Sequence, residues 1–169
     1  MKKMLIILSI IMGVILYNND KEQLIIPNDS IRIRIIANSN TKEDQKTKND
    51  LKKDINKTVE KILENVKSLD EARTKLENSI DLITKEVEKS LKSKDFTINY
   101  GLNYFPEKIF KGVIYNSGFY ESLVITIGKG LGDNYWCVLY PPLCIADFND
   151  RKDEYEYRSL VKDILDKYL

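Results

Sequence analysis

Residues 31–55 read IRIRIIANSNTKEDQKTKNDLKKDI, and this stretch contains both kinds of periodicity from which the fold is built. Isoleucine and arginine alternate at its start, which predicts a strand with one apolar face turned toward a core. The other face carries Arg32 and Arg34, which we expect to be solvated or paired with carboxylates. From Leu51 onward the apolar residues instead recur every three or four positions, which predicts an amphipathic helix.

A polar turn joins this strand to this helix. Asn38-Ser39-Asn40 ends the strand, and Thr41 with Asp44 resembles a weak capping box at the start of the helix. Residues 41–50 contain no large apolar side chain. We therefore expect the first turns of the helix to be solvated or to pack on a polar neighbour.

The remainder of the chain predicts a second helix, further strands and a C-terminal helix. Ser68 and Glu71 form a capping box before an apolar stripe that runs to Leu91, which predicts a helical hairpin. The period then changes to two, and the predicted strands cover residues 96–104, 109–115, 119–127 and 135–140. A last amphipathic pattern, at residues 157–168, predicts a C-terminal helix. Because strands joined by short turns are antiparallel, we expect an α+β fold. It would be a mostly antiparallel sheet of four to five strands, with the hairpin and the C-terminal helix packed against it.

Composition limits the classes of function. The 169 residues suit one domain. Lys and Arg number 27 against 26 Asp and Glu, and this near balance argues against nucleic-acid binding, which needs a basic face. The absence of histidine removes the commonest general base and metal ligand. We expect neither a cofactor nor a metal site.

The first 20 residues resemble a targeting segment. Two lysines precede an uncharged run from Met4 to Tyr17, which is typical of a secretory signal. The run is short for a membrane-spanning helix, which needs about 20 apolar residues, yet no clear cleavage site follows it. A cleaved signal and a retained short anchor are therefore both open, with a buried core helix as the third possibility. We divide the chain into a signal or anchor at 1–20, a linker at 21–29 and one domain at 30–169.

A glycine-rich stretch, GKGLG at residues 128–132, separates two of the predicted strands. It lacks the Lys-Ser/Thr pair and the following helix of a phosphate-binding loop. We expect a hairpin whose glycines supply positive φ angles, and an exposed tip that contacts a partner is the functional alternative. We expect Trp136, Val138 and Tyr140 to pack as one alternating face of the next strand.

The two cysteines, Cys137 and Cys144, leave three interpretations open. Outside the cytoplasm they could form a disulfide, since Pro141 and Pro142 could turn the chain back between them. They could also be two buried thiols. A thiolate nucleophile would lack a histidine to lower its pKa. No other catalytic set of residues stands out, so the residues indicate an exported domain that works by contact.

Two stretches and the leading segment together resemble the stage II sporulation protein R family of endospore-forming Firmicutes. The stretches are residues 31–55 and YFPEKIFKGVIYNSGFYESLVITIGKGLGDNYWCVLYPPLC at 104–144. The most specific motifs are R-I-x-A-N-S from Arg34, D-Q-x-x-K from Asp44 and the block from Trp136 to Cys144. Two departures are local: Tyr135 stands where the family usually has tryptophan, and Asn116-Ser117 stands where it often has Pro-Ala.

The resemblance implies a signalling protein that the forespore exports into the space between two facing membranes. There it would bind the extracytoplasmic face of a membrane-embedded aspartic peptidase of the mother cell. That peptidase would then remove the pro-segment of the sigma-E precursor, so the family member needs no catalytic residues of its own.

Under this hypothesis we expect two groups of partner-binding residues. The first group follows the first strand and contains Asn38, Ser39, Asp44, Gln45 and Lys48. The second lies at the glycine-rich loop and contains Lys129, Asp133, Asn134 and Tyr135. The alternative is that both groups serve only as helix caps and turns.

A second hypothesis is an extracytoplasmic thiol-dependent enzyme that acts on peptide or wall substrates through Cys137 or Cys144. A third is a scaffold protein of the wall or the membrane.

Overall fold

A computed structural model describes residues 24–25, 29–92, 95–110, 113–142 and 167 of the chain. Its helices are α1 (Lys42–Ile62), α2 (Leu69–Asn78) and α3 (Ile80–Leu91). Its strands are β1 (Leu24–Ile25), β2 (Ile31–Ile36), β3 (Phe96–Phe105), β4 (Lys108–Phe110), β5 (Val113–Tyr115), β6 (Gly118–Ile127) and β7 (Asn134–Tyr140). The predicted α+β class is therefore confirmed.

The main sheet has four strands in the order β3-β6-β2-β7. β3 pairs with β6 and β2 pairs with β7 in antiparallel fashion, while β2 and β6 are parallel. The sheet is thus mostly antiparallel, with one parallel pair at its centre. A second, small sheet has the order β1-β5-β4.

The three helices pack on one face of the main sheet, where the apolar stripes predicted from the sequence meet. Ile31, Ile33 and Ile35 of β2 are fully buried there, as their alternation predicts. The core they join also contains Leu51, Ile55, Val59, Ala72, Leu76, Ile83, Val87, Leu91, Leu123, Ile125 and Ile127. Burial of such side chains contributes roughly 1.5–3 kcal/mol each, so this cluster is the main source of stability in the part of the chain described.

Two predicted elements are divided in the structure. The single second helix is interrupted at Ser79, which ends α2 and also begins α3. The single strand predicted at 109–115 is two short strands, β4 and β5, which pair with each other in the small sheet. Neither division changes the fold class.

The glycine-rich loop does not form the predicted hairpin. β6 and β7, which it joins, are not neighbours, because β2 lies between them and is hydrogen-bonded to both. The loop is therefore a crossover that passes over the end of β2. The expectation of positive φ is right for Gly128 (+54°) and Gly130 (+64°).

The expectation of a solvated arginine face is wrong for Arg32, and no carboxylate of the described residues forms an ion pair with it. This residue is only 1% exposed, and its guanidinium carbon lies 3.2 Å from the centre of the Tyr120 ring. Tyr115 of the small sheet also lies near it, with its ring centre 6.0 Å away. The second face of the sheet is thus covered in part by aromatic side chains.

We predicted that Trp136, Val138 and Tyr140 share one face of the last strand, and this is correct for Trp136 and Val138. Trp136 and Val138 are paired with Arg34 and Arg32 and share their face of the sheet. Tyr140 is paired with Ile31, because the register shifts between Ile31 and Arg32, and it packs in the helix-side core.

Several predictions fall outside the described residues: the targeting segment at 1–20, Cys144, and the C-terminal helix apart from Lys167, which is helical. Among the helices that the structure describes, none combines the length and apolarity that crossing a bilayer requires.

Candidate functional site

The two predicted groups of contact residues form one continuous site, because the crossover loop lies against the turn that follows β2. Backbone hydrogen bonds join the two segments: Gly132 donates to the carbonyl of Ala37 (2.9 Å) and Leu131 donates to that of Asn38 (3.1 Å). We call the combined surface, residues 37–48 together with 128–135, the crossover site.

Asp44 holds the turn from the helix side. Its Oδ2 accepts hydrogen bonds from the Nδ2 of Asn38 (2.8 Å) and from the hydroxyl of Ser39 (2.6 Å). The N-cap of α1 is Thr41, whose hydroxyl accepts from the Asp44 amide. The weak capping box is therefore only half formed, and the Asp44 carboxylate serves the turn instead.

Asn38 and Asn40 connect the turn to the crossover loop. The Oδ1 of Asn38 accepts from the amide of Lys129 (3.0 Å), and the Oδ1 of Asn40 accepts from the amide of Asp133 (2.6 Å). Gln45 supports the same turn, since its Nε2 donates to the Ser39 carbonyl at 3.0 Å. These bonds fix both loops as one body.

Lys48 lies underneath the site and is largely buried, with 7% of its surface exposed. Its ammonium donates to the Oε1 of Gln45 (2.6 Å) and to the carbonyl of Asp133 (3.1 Å). Burial lowers the pKa of Lys48, and the Asp133 carboxylate partly opposes this effect. The sequence left open whether the polar first turns of α1 are solvated or pack on a polar neighbour. Through Lys48 they pack on a polar neighbour, the crossover loop.

Tyr135 lies at the start of β7, between the site and the helix layer. Its hydroxyl accepts a hydrogen bond from the Nδ2 of Asn56 (3.3 Å), and the ammonium of Lys52 lies 4.2 Å from the ring centre. Asn134, the first residue of β7, is half-buried and pairs with Ile36.

The outer surface of the crossover site includes Asn40, Lys129, Leu131 and Asp133, all of which are exposed. Leu131 is 75% exposed. Sequence reasoning did not select Asn40 or Leu131. The sequence does mark Leu131 as a candidate contact residue, because it is the only large apolar residue in GKGLGD at 128–133. The other residues of this loop are glycine or charged.

Most polar side chains of the crossover site are engaged with one another. Within the described ranges no group of acidic or sulfur-containing side chains could hold a metal ion. The carboxylate of Asp44 and the ammonium of Lys48 are both occupied by hydrogen bonds within the protein. Asn38, Ser39, Asp44, Gln45 and Lys48 mainly hold the shape of the site, while Lys129 and Asp133 are presented to the outside.

Cys137 lies in β7 and is disulfide-bonded rather than a free thiol. Cys144 lies outside the described residues, so the pairing of the two cysteines stays the prediction made from the sequence. Pro141 is buried and Pro142 half-buried directly after β7, where the sequence predicts the end of the strand.

Comparison with known proteins gives two matches. The sequence model of the family described as stage II sporulation protein R matches residues 27–150. The stage II sporulation protein R of Bacillus subtilis (strain 168) is 35% identical over 136 residues, which cover 78% of this chain and 61% of that protein. The chain thus spans less than two thirds of the length of this curated relative. No solved structure matches the chain.

Proposed function

Because the chain belongs to the stage II sporulation protein R family and so has a role in sporulation, we propose that it is an exported signal that activates a membrane-embedded aspartic peptidase by contact. The proposed consequence is removal of the pro-segment of the sigma-E precursor in the mother cell. The protein would act in the space between the forespore and mother-cell membranes, on the extracytoplasmic face of the peptidase.

The observation that supports contact as the mechanism is the exposed leucine of the crossover site. Leu131 projects from a loop that hydrogen bonds to Ala37 and Asn38 hold in place. An apolar side chain on a fixed support loses little conformational entropy on binding, which favours affinity. Lys129 and Asp133 beside it add charges of both signs, which favour one orientation of the partner.

Activation by contact sets a thermodynamic requirement. A bound signal shifts the peptidase toward its active state only if it binds that state more tightly than the inactive one. Moving the population from 1:99 to 99:1 requires a difference in affinity of about 10⁴-fold. A surface that is rigid before binding suits this task, since it can fit one state of the partner and not the other.

The test is co-expression of the full chain, the peptidase and the sigma-E precursor in a non-sporulating host, with cleavage of the precursor as the readout. We expect the wild-type chain to cause cleavage and Leu131→Asp to lower it at least tenfold, since the new charge would have to be buried in the interface. The matched control is Leu82→Asp, because Leu82 is also an exposed leucine (54%) but lies on α3, away from the crossover site.

The proposal is wrong if the wild-type chain leaves the precursor uncut while the peptidase and the chain are both present at the membrane. If Leu131→Asp and Leu82→Asp lower cleavage equally, the crossover site is not the contact surface. The proposal that the chain activates the peptidase would be unaffected by that result.

A further inference from the structure

The face of the main sheet opposite the helices carries a cluster of cationic and aromatic side chains. Arg32 and Arg34 both lie near the Phe105 ring, with guanidinium carbons 5.6 and 5.9 Å from its centre. Trp136 packs on the same ring at 5.1 Å between centres, and Arg34 lies 5.8 Å from the indole. We call this cluster the arginine face.

Several donors of the arginine face are buried and have no acceptor among the residues that the structure describes. They are the Nη1 and Nη2 of Arg32, the Nε of Arg34 and the indole Nε1 of Trp136. The Nε of Arg32 makes a long hydrogen bond to the hydroxyl of Ser30, at 3.4 Å. Among the residues that the structure describes, no ion pair includes either arginine.

Aromatic contacts compensate only part of the cost of this burial. Stacking of Arg32 on Tyr120 is worth up to about 2 kcal/mol when the pair is desolvated. Leaving a buried charge without its counterion costs several kcal/mol, and for this reason buried charges in proteins are almost always paired. Burial also lowers the pKa of both arginines, and at Arg32 the neighbouring Tyr120 partly opposes this effect. The cluster therefore has the chemistry of a receptor for an anion.

We propose that the arginine face is a binding site for a carboxylate carried by a polypeptide. A planar guanidinium matches the two oxygens of a carboxylate, and the indole N–H of Trp136 supplies a further donor beside it. Arg34 is only half-buried and gives the group a way in, whereas Arg32 is covered and holds the positive charge behind it.

Two sources could supply this carboxylate, and both are acidic side chains. One is a protein partner. The other is the acidic stretch DFNDRKDEYE at residues 147–156 of the chain itself, which follows β7, the strand next to the arginines. The site does not depend on the proposed activation of a peptidase.

The test uses the only tryptophan of the chain, which belongs to the site. The full chain is titrated with sodium acetate, with sodium chloride at equal ionic strength as the reference, while Trp136 fluorescence and the unfolding midpoint are followed. If the site is open, we expect a saturable change in fluorescence. We also expect the midpoint to rise by about 3–6 °C at an acetate concentration ten times the dissociation constant. Arg34→Met should remove both effects, and Arg34→Lys, which keeps the charge but loses the planar fork, should weaken them.

A variant with Asp147, Asp150 and Asp153 changed to Asn and with Glu154 and Glu156 changed to Gln distinguishes the two sources. If the chain itself fills the site, the wild type will ignore acetate, while this variant will unfold at a lower temperature and respond to acetate. If the site is open to a partner, the wild type and the variant will respond alike. The proposal is overturned if neither protein responds to acetate beyond chloride, or if Arg34→Met responds as strongly as the protein with the intact arginine.

Discussion

Gly132 lies where the crossover loop packs most closely on the turn that follows β2. Its amide donates to the carbonyl of Ala37, and a Cβ at this position would clash with the carbonyl group of Ser39 and with the side chain of Ala37. The Ser39 atoms belong to the backbone, so they cannot rotate away as the end of a side chain could. Only glycine allows the loop to lie this close to the turn.

We expect Gly132→Ala to lower the free energy of unfolding by about 1–3 kcal/mol, because the two segments must separate to admit the methyl group. Urea denaturation of the purified domain measures this loss. Gly118→Ala is the control, since its Cβ would meet only the ring of Tyr120, at 3.3 Å. A cost for Gly132→Ala no larger than that of Gly118→Ala would contradict the close approach of loop and turn.

Arg32 illustrates what the sequence could not reveal about a single residue. The alternation of residues 31–35 correctly placed the arginines on the face opposite the core, but a period of two says nothing about what covers that face. The cover comes from Phe105, Tyr115 and Tyr120, which are distant in sequence. Burial of Arg32 follows from the arrangement of strands and not from its neighbours in the chain.

The elements themselves could largely be predicted, because each depends on local periodicity. The break at Ser79 is the exception: the apolar stripe from Ala72 to Leu91 continues across it, so the pattern contains no sign of an interruption.

The crossover from β6 to β7 could not be predicted from the sequence for a different reason. Glycines with positive φ suit a hairpin and a crossover equally, and only the insertion of β2 between β6 and β7 distinguishes the two.

The two serines that precede α2 and α3 provide a test of helix capping within one molecule. Ser68 accepts a hydrogen bond from the amide of Glu71 at 3.2 Å, whereas Ser79 makes no side-chain capping bond. We expect Ser68→Ala to lower the free energy of unfolding by about 0.5–2 kcal/mol and Ser79→Ala to leave it nearly unchanged. Thermal or urea denaturation of both variants measures the difference. If the two losses were equal, the capping bond of Ser68 would contribute nothing.

At the scale of the whole molecule, an ion-paired group fastens the helix layer to the sheet. The Nε of Arg73 on α2 donates to the Glu121 carboxylate of β6 at 2.9 Å, and the hydroxyl of Tyr100 donates to the same carboxylate at 2.7 Å. The Glu121 carboxylate raises the pKa of Tyr100, although burial has the larger effect. Since Glu121 is only 18% exposed, this pair is better shielded from water than the surface pairs of the helices.

A double-mutant cycle with Arg73→Ala and Glu121→Ala should therefore give a coupling energy of about 0.5–3 kcal/mol in the free energy of unfolding. Asp70 offers a matched control, because it also pairs with Arg73 but its side chain is 89% exposed. The coupling of Arg73 to Asp70 should stay below about 0.5 kcal/mol. The reverse order of the two couplings would show that the layers are not held together at this point.

The crossover site shows the limit of sequence reasoning at this scale. Its two groups of residues could be selected separately, since each lies in a polar turn beside a strand. That they meet depends on the parallel pairing of β2 with β6, which brings Ile36 beside Thr126 and so places both loops at one end of the sheet. A partner-binding role for these residues stays a prediction until cleavage of the precursor is measured.

The position of β2 between β6 and β7 also determines when the domain can fold. β2 is made early, but its partners on both sides come from the far part of the chain: Arg32 pairs with Ser122 and with Val138. Contacts of such long sequence separation form slowly. A chain that leaves the ribosome or a translocation pore N-terminus first will therefore stay without its complete main sheet until β7 has emerged. A product that stops before Asn134 would leave one edge of β2 bare, which makes it prone to aggregation and a ready substrate for proteases.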